Sequence, residues 1–336
     1  MNTAILHHAM KLALEAAWDY QLLTFPNPAV GAACISENGT ILSVGAHKIA
    51  GGPHAEVYAL RDAYTLLSGD NTISDCDDSH HIHEYLRTHH NNLFKTLTMA
   101  VTLEPCSHSG KTPSCAFLVR DLGIKSLFIS CKDPNPAAAG GGEIVSASGA
   151  ECVFGIMEAE GQKLLEPFLK WQQDPFVFFK WAQRLDGTID NGTISSAVSR
   201  THMHALRDKC DLIVIGGNTV RADRPTLDAR LVGGKAPDVL IYSREGEFDR
   251  TIPLFNIPNR NVFIASDFEP IRHYRLVMIE GGAGMFQASH TVSDWYLSYI
   301  APKIGGGSQT LGTVTEDFEV LHAKITDNII LWMKKK

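Results

Sequence analysis

No stretch of the 336 residues stays apolar for the ~18 positions that a membrane-crossing helix needs. Basic clusters are equally scarce. Apart from the terminal Lys334–Lys336 there is no run of cations, and the net charge is −7. An extended nucleic-acid partner is therefore not expected, whereas an anionic small molecule needs only a few local cations. The amino-terminal segment carries acids at helical spacing and lacks the basic end and apolar middle of a secretory leader. Cysteine is sparse and odd in number. The seven residues (Cys34, Cys76, Cys106, Cys115, Cys131, Cys152 and Cys210) are dispersed along the chain. Together these absences point to the cytoplasm, where thiols are more often reduced, ligating or catalytic than bridged. No internal repeat is visible.

The length suits two domains of ordinary size, and 44% hydrophobic with 20% charged residues is usual for globular domains. Residues 3–22 place Ile5, Met10, Leu12, Leu14, Ala17 and Leu22 at roughly helical spacing. Pro26 and Pro28 break that helix. A hairpin follows over 30–49, turning at residues 37–40. Residues 51–67 read as a helix with Pro53 in its first turn. Beyond it come a buried strand (96–103), a helix closed by Gly123, a strand (126–130), a short helix and strand (143–156) and a helix (158–171). Such alternation argues for a sheet covered by helices. A new domain begins near residue 173. It opens with a strand over 175–189 and continues through a helix at 199–210, strands within 211–217, 238–243, 261–266, 275–282, 295–302 and 328–333, and a helix near 284–292. The expected domains are 1–172 and 173–336.

An insertion at 68–95 is rich in Asp, Asn, Ser and His and holds five of the fifteen histidines. A second metal site is one reading. A solvated loop outside the core, with a short amphipathic helix carrying Ile82, Tyr85, Leu86 and Leu93, is the expected one.

His54, Cys106 and Cys115 stand at expected starts or ends of elements: His54 opens a helix, Cys106 follows a strand, and Cys115 begins the next helix. Three such ligands suit a catalytic zinc, which takes three protein ligands and leaves the fourth position for water. Helix N-termini also favour thiolates. Glu56, two residues beyond His54, is placed to take a proton from that water and return it to a leaving amine. A structural zinc would instead want a fourth protein ligand and no adjacent carboxylate. The order His-x-Glu, then Pro-Cys, then Cys is the signature of zinc-dependent nucleobase deaminases.

Eight residues, Ser107–Ser114, separate the two cysteines, where the usual signature has two. This long segment resembles the deaminase half of the bifunctional riboflavin-biosynthesis deaminase/reductase family, as do the stretches PNPAVG (26–31), GGPHAE (51–56) and DPNPAAAGGG (133–142). Ser114 departs from that family, which has a second proline there. The resemblance implies a cytidine-deaminase-like three-layer domain with a zinc and pocket roles for Asn27, His47, His108, Lys111, Asp133 and Asn135. Asn and Asp suit the mixed donors and acceptors of a pyrimidinone edge, and Lys111 with a protonated His suits a sugar phosphate. For Asn27 and Asn135, turn structure beside proline is the alternative.

Downstream, KWAQRLDGTI (180–189), residues 205–230, IEGGAGMF (279–286) and YIAPKIGGG (299–307) resemble the reductase half of the same family. Its fold is dihydrofolate-reductase-like and its hydride donor NADPH. Gly216, Gly217 and Thr219, and then Gly281 and Gly282, lie between a strand and an expected helix, where backbone N–H groups suit phosphate. Neither stretch is a full Gly-x-Gly-x-x-Gly, so tight packing is the other reading of the pattern. By resemblance these five positions bind cofactor. Lys180, Arg207, Asp223 and Arg230 face the ribose phosphate, and Glu280 the sugar; surface ion pairs are the alternative. Arg224 departs from the family, where an acidic residue or Asn precedes that proline. A Trp-containing loop of the family is also missing before residue 197. Its loss predicts a weaker or more NADPH-demanding reductase, unless Ile194, Ser195 and Ser196 fill the space.

The implied function is deamination of 2,5-diamino-6-ribosylamino-4(3H)-pyrimidinone 5′-phosphate, followed by NADPH-dependent reduction of the ribosyl chain to ribityl. The partner is a small phosphorylated molecule, not nucleic acid or membrane, and a homo-oligomer is compatible. The rival readings are a deaminase whose second domain no longer reduces, an RNA deaminase with an appended binding module, and a non-enzymatic zinc module.

Overall fold

The computed structural model describes residues 2–312 and 315–336. The chain divides into two compact units, Met1–Leu169 and Lys170–Lys336. Among the described residues no helix is long and apolar enough to cross a membrane.

The first unit contains α1 (Thr3–Trp18), β1 (Gly31–Ile35), β2 (Ile41–Ala46), α2 (Ala55–Ser68), α3 (Ser79–His89), β3 (Thr98–Leu103), α4 (Cys115–Leu122), β4 (Ser126–Cys131), α5 (Gly141–Ser146) and β5 (Glu151–Phe154), and α6 (Glu158–Trp171) runs to its end. The strands lie in the order β2-β1-β3-β4-β5. β1 pairs antiparallel with β2 and β3, whereas β3, β4 and β5 run parallel. β1, β3 and β4 are buried along their whole length, as strands are when helices cover both faces of a sheet. Local chemistry sets the boundaries. Asn2 caps α1 by accepting from the Ala4 amide, and Gly123 ends α4 at φ 71°. Gly31 is required by close approach, since a Cβ there would lie 1.8 Å from the Ala13 carbonyl oxygen.

In the second unit β6 (Phe176–Arg184), α7 (Ala197–Lys209), β7 (Leu212–Gly216), α8 (Gly217–Asp223), β8 (Asp238–Tyr242), β9 (Val262–Ala265), β10 (Leu276–Glu280), α9 (Ala283–Ser289), β11 (Trp295–Ala301), β12 (Phe318–Ile325) and β13 (Ile329–Lys335) build one sheet of order β12-β13-β11-β6-β10-β7-β8-β9. Six strands run parallel, and β12 and β13 add antiparallel at one edge. Trp295, Tyr296, Phe176, Phe178 and Phe179 fill its interior. Both units are α/β, each a sheet with helices packed on it.

Three expectations need correction. Pro53 precedes α2 rather than sitting in its first turn, because His54, in extended conformation, is the N-cap. β12 was not legible: half-exposed along its length, it carries no apolar run. The insertion is not a loop outside the core. Ile73, Ile82, Leu86 and Phe94 are fully buried and belong to the same apolar cluster as Leu60, Met99 and Leu118. Its polar composition describes only the outer face of α3, while the inner face follows helical spacing into the core.

Candidate functional site

Three chain segments deliver the ligand set. His54 caps α2, Cys106 follows β3, and Cys115 is the first residue of α4. His54 Nδ1 lies 3.4 Å from Cys115 Sγ and 3.7 Å from Cys106 Sγ. The three ligand atoms sit within 4.8 Å of one another, and among the described residues they are the group that converges this way. Among the described residues the five insertion histidines are not part of this group. The other ring nitrogen of His54 meets Thr112 Oγ1 at 3.3 Å, fixing the ring as an outer-shell partner does. Ser114, the departure from the family motif, has a structural task. Its hydroxyl donates to the Cys106 carbonyl at 2.6 Å and accepts from the Phe117 amide as the N-cap of α4.

The electrostatics of this cluster call for a cation. The Cys115 thiol and then His54, working against burial, pull Cys106 down to about 4. In turn the Cys106 sulfur and burial push Cys115 well up. Burial lowers His54, but the Cys106 sulfur and Glu56 outweigh it. Two thiols and an imidazole buried around one point form a donor set that suits zinc, and a divalent ion lets both sulfurs be thiolate at once. Glu56 is buried beside them, and burial raises its carboxyl to about 7 despite His54, the range in which a carboxyl can both take and give a proton.

A cavity of about 410 Å³ opens onto this cluster. Asn27, His47, His108, Lys111, Asp133 and Asn135 all line it together with His54, Glu56 and Cys106, and Cys115 lies buried behind. His47 hydrogen-bonds the Pro53 carbonyl through Nδ1 at 2.9 Å, and its Nε2 accepts from the Asn27 amide at 3.1 Å. Burial and His54 lower it to about 4. It is thus a neutral wall of the cavity and not the cation for a phosphate. Asp133 accepts from the Asn135 amide at 2.9 Å, and Asn135 from the Ala137 amide at 3.1 Å. Both residues shape a turn while also facing the cavity. Glu104 was missed in the sequence. Buried at the end of β3, it accepts from the amides of Asp133, Gly140 and Gly142 at 3.0–3.2 Å and so holds the Asp133–Gly142 loop against the metal-binding strand end. Gly141 completes that junction, since a Cβ there would meet the Pro105 carbonyl at 1.7 Å. A lone Glu beside Pro-Cys carries no signal for this role.

In the second unit, register brings Lys180 on β6 opposite Glu280 on β10. Their side chains approach to 3.7 Å, and Arg207 of α7 grips Glu280 through two hydrogen bonds. Arg230 pairs with Asp228, whose carbonyl also accepts from Arg207, so Arg230 stands at the margin of this cluster. Asp223 lies exposed at the end of α8. Gly216 caps α8 and Gly217 opens it. The Cβ positions of Gly217 and Gly281 are occupied by Ser243 and Met285, so these glycines pack tightly. Thr219 is half-buried in α8, and Gly282 caps α9. Arg224 ends α8 with φ 46° and pairs with Asp249 at 2.7 Å. In the segment where the resemblance predicts a missing Trp-containing loop, Ile194 is buried and Ser196 caps α7.

Comparison with known proteins bears on both units. Residues 4–131 match the family model described as the cytidine and deoxycytidylate deaminase zinc-binding region, and residues 175–328 match the RibD C-terminal domain. The chain is 33% identical over 323 residues to the riboflavin biosynthesis protein RibD of Corynebacterium ammoniagenes, covering 90% of this chain and 87% of that protein. It is 29% identical to the protein of the same name from Aquifex aeolicus, with 97% of each covered. A crystal structure of a diaminohydroxyphosphoribosylaminopyrimidine deaminase/5-amino-6-(5-phosphoribosylamino)uracil reductase from Thermotoga maritima superposes with a TM-score of 0.67 at 27% identity, covering 99% of each chain.

Proposed function

Because the chain belongs to the RibD family of riboflavin biosynthesis proteins and is a bifunctional deaminase and reductase, we propose how its residues divide that work. The first unit hydrolyses the 2-amino group of the diaminopyrimidinone ribose phosphate. The second reduces the ribosyl chain to ribityl with NADPH as hydride donor. The observation that carries the first assignment is the convergence of His54, Cys106 and Cys115 with buried Glu56 on one cavity.

His54, Cys106 and Cys115 would hold the zinc. A zinc with three protein ligands keeps one position open and supplies the Lewis acidity that makes water nucleophilic near neutral pH. Glu56 takes the proton of the attacking water and delivers it to the exocyclic nitrogen. The new C–O bond forms first, giving a tetrahedral ring carbon, and once the exocyclic nitrogen carries the proton the C–N bond breaks and ammonia leaves. Asn27, His47, Asp133 and Asn135 present the mixed donors and acceptors that orient a pyrimidinone edge. Lys111, with His108 beside it on the same loop, faces the 5′-phosphate. In the second unit Lys180, Arg207 and Glu280, with Arg230 and Asp223 at the margin, hold the ribose phosphate. The turns at Gly216–Thr219 and Gly281–Gly282 face the cofactor. The buried Lys180–Glu280–Arg207 cluster favours a working reductase over a deaminase-only chain.

Glu56→Gln tests the assignment. It should keep one zinc per chain and unchanged NADPH oxidation on the deaminated intermediate, yet lose ammonia release by ~10²-fold or more, the weight of a general acid–base group. Ammonia release near the wild-type rate refutes the role of Glu56. Cys106→Ser should lose the metal itself, and full zinc in that variant refutes it as a ligand.

A further inference from the structure

We propose that the inserted helix α3 is a positioning element of the deaminase site. Through His80 it fixes the loop between the two cysteines so that Lys111 meets the substrate phosphate. The proposal rests on the assignment of Lys111 to that phosphate.

The loop needs such a support. Its ends are held, because Ser107 bonds to the Ala138 and Ala139 carbonyls at 2.8 and 2.6 Å and Thr112 meets His54. Its middle, His108–Lys111, is exposed. There the His80 Nε2 donates to the Lys111 carbonyl at 3.3 Å, across 31 residues of sequence. The helix that carries His80 is itself fastened on two sides. Ile82 and Leu86 are buried in the core, and Arg87 pairs with Asp121 of α4 at 3.0 Å. Just before α3, Asp77 accepts from Tyr58 at 3.0 Å and the Cys76 carbonyl from Arg61 at 2.7 Å, both donors lying on α2. The insertion thus spans the helix capped by His54 and the helix begun by Cys115, and its first turn reaches the loop between the cysteines.

The face of α3 that holds His80 is not built for core packing alone. Ser79 and His83 lie four positions apart, and His83 follows His80 by three, so the three are neighbours on the helix surface. Ser79 Oγ and both ring nitrogens of His83 are buried with no hydrogen-bond partner among the described residues. Groups that could be apolar at no loss are seldom kept polar there. A backbone tie near an exposed lysine lowers the ordering that phosphate binding would otherwise require. The effect belongs in substrate affinity, not in the chemical step.

The test uses the full-length, zinc-loaded enzyme. Ammonia release is measured on the phosphorylated pyrimidine riboside and on its dephosphorylated form, with NADPH oxidation as an internal control. His80→Ala should raise KM for the phosphorylated substrate roughly 2- to 10-fold, the weight of one hydrogen bond. Its kcat, zinc content, KM for the dephosphorylated form and NADPH oxidation should stay unchanged. His80→Gln, which keeps an N–H donor at similar reach, should restore KM. Lys111→Ala, run in parallel, should abolish the preference for the phosphate. If Lys111→Ala loses that preference but His80→Ala leaves KM unchanged, or raises it equally for both substrates, the inference is overturned and the reading of Lys111 stands. If Lys111→Ala keeps the preference, that reading falls and the inference with it. A fall in kcat together with zinc loss in both His80 variants would show scaffolding only, and would also overturn it.

Discussion

Arg207 and Glu280 are joined by two parallel hydrogen bonds of 2.7 and 2.9 Å between side chains that are almost wholly buried. Such a fork is specific to guanidinium and carboxylate. Arg207→Met should therefore cost about 3–5 kcal/mol of stability, because it leaves a buried carboxylate with only Lys180 beside it. Urea unfolding checks this, and a loss below 1 kcal/mol contradicts it.

The same pair sets a pH dependence. Burial alone would raise Glu280, but Arg207 and Lys180 outweigh it and hold its carboxyl at about 2, against 4.5 ordinarily. A carboxyl depressed on folding stabilises the protein above its unfolded value, and that contribution fades as pH falls towards the folded value. The stability gap between wild type and Glu280→Gln should be full at pH 5–7 and shrink progressively from about 4.5 towards 2. Urea midpoints at pH 7, 5 and 3 measure it. A gap that does not change with pH contradicts the assignment.

The insertion should behave as core. Leu86→Ala removes a fully buried side chain packed in the cluster of the first unit, at a cost of about 2–5 kcal/mol. Replacing residues 70–92 by a short flexible linker should unfold that unit and take zinc binding with it. A stable, zinc-loaded deletion variant, seen by metal analysis and circular dichroism, would return the segment to the status of a surface loop.

Ser114→Ala tests the departure from the family motif. It removes both the cap of α4 and the bond to the Cys106 carbonyl, and should cost about 1 kcal/mol. Ser114→Pro should be better tolerated than an arbitrary substitution, since φ is already −62° there. Thermal unfolding of the two variants decides between these outcomes.

Legibility differed sharply between parts of this molecule. The ligands His54, Cys106 and Cys115, with Glu56, could be picked out in one dimension because few residue types bind zinc or move protons. Helix caps and strand ends place them where thiolate and imidazole are useful, and the parallel strands announced themselves as unbroken apolar runs. Glu104, by contrast, has no sequence signal. It matters because the Asp133–Gly142 loop returns to the end of β3 and offers it three amides. The insertion misled through composition: its average is polar, but the spacing of Ile82 and Leu86 decides which side faces inward.

What the sequence determined by itself is therefore the groups available: His54, Cys106 and Cys115 as a set suited to a metal, a carboxylate two residues beyond the first of them, a lysine between the two cysteines and two α/β units. Which of these groups touch was decided only by tertiary structure. The Lys180–Glu280 contact depends on the register of β6 against β10, and Arg207 reaches it from a helix 73 residues away in sequence. Its own neighbours decide the charge state of His47, for burial and then His54 lower its pKa to about 4 against the opposing pull of the Pro53 carbonyl. Charge state and pairing depend on distance and desolvation, and both arise only once segments remote in the chain are packed together.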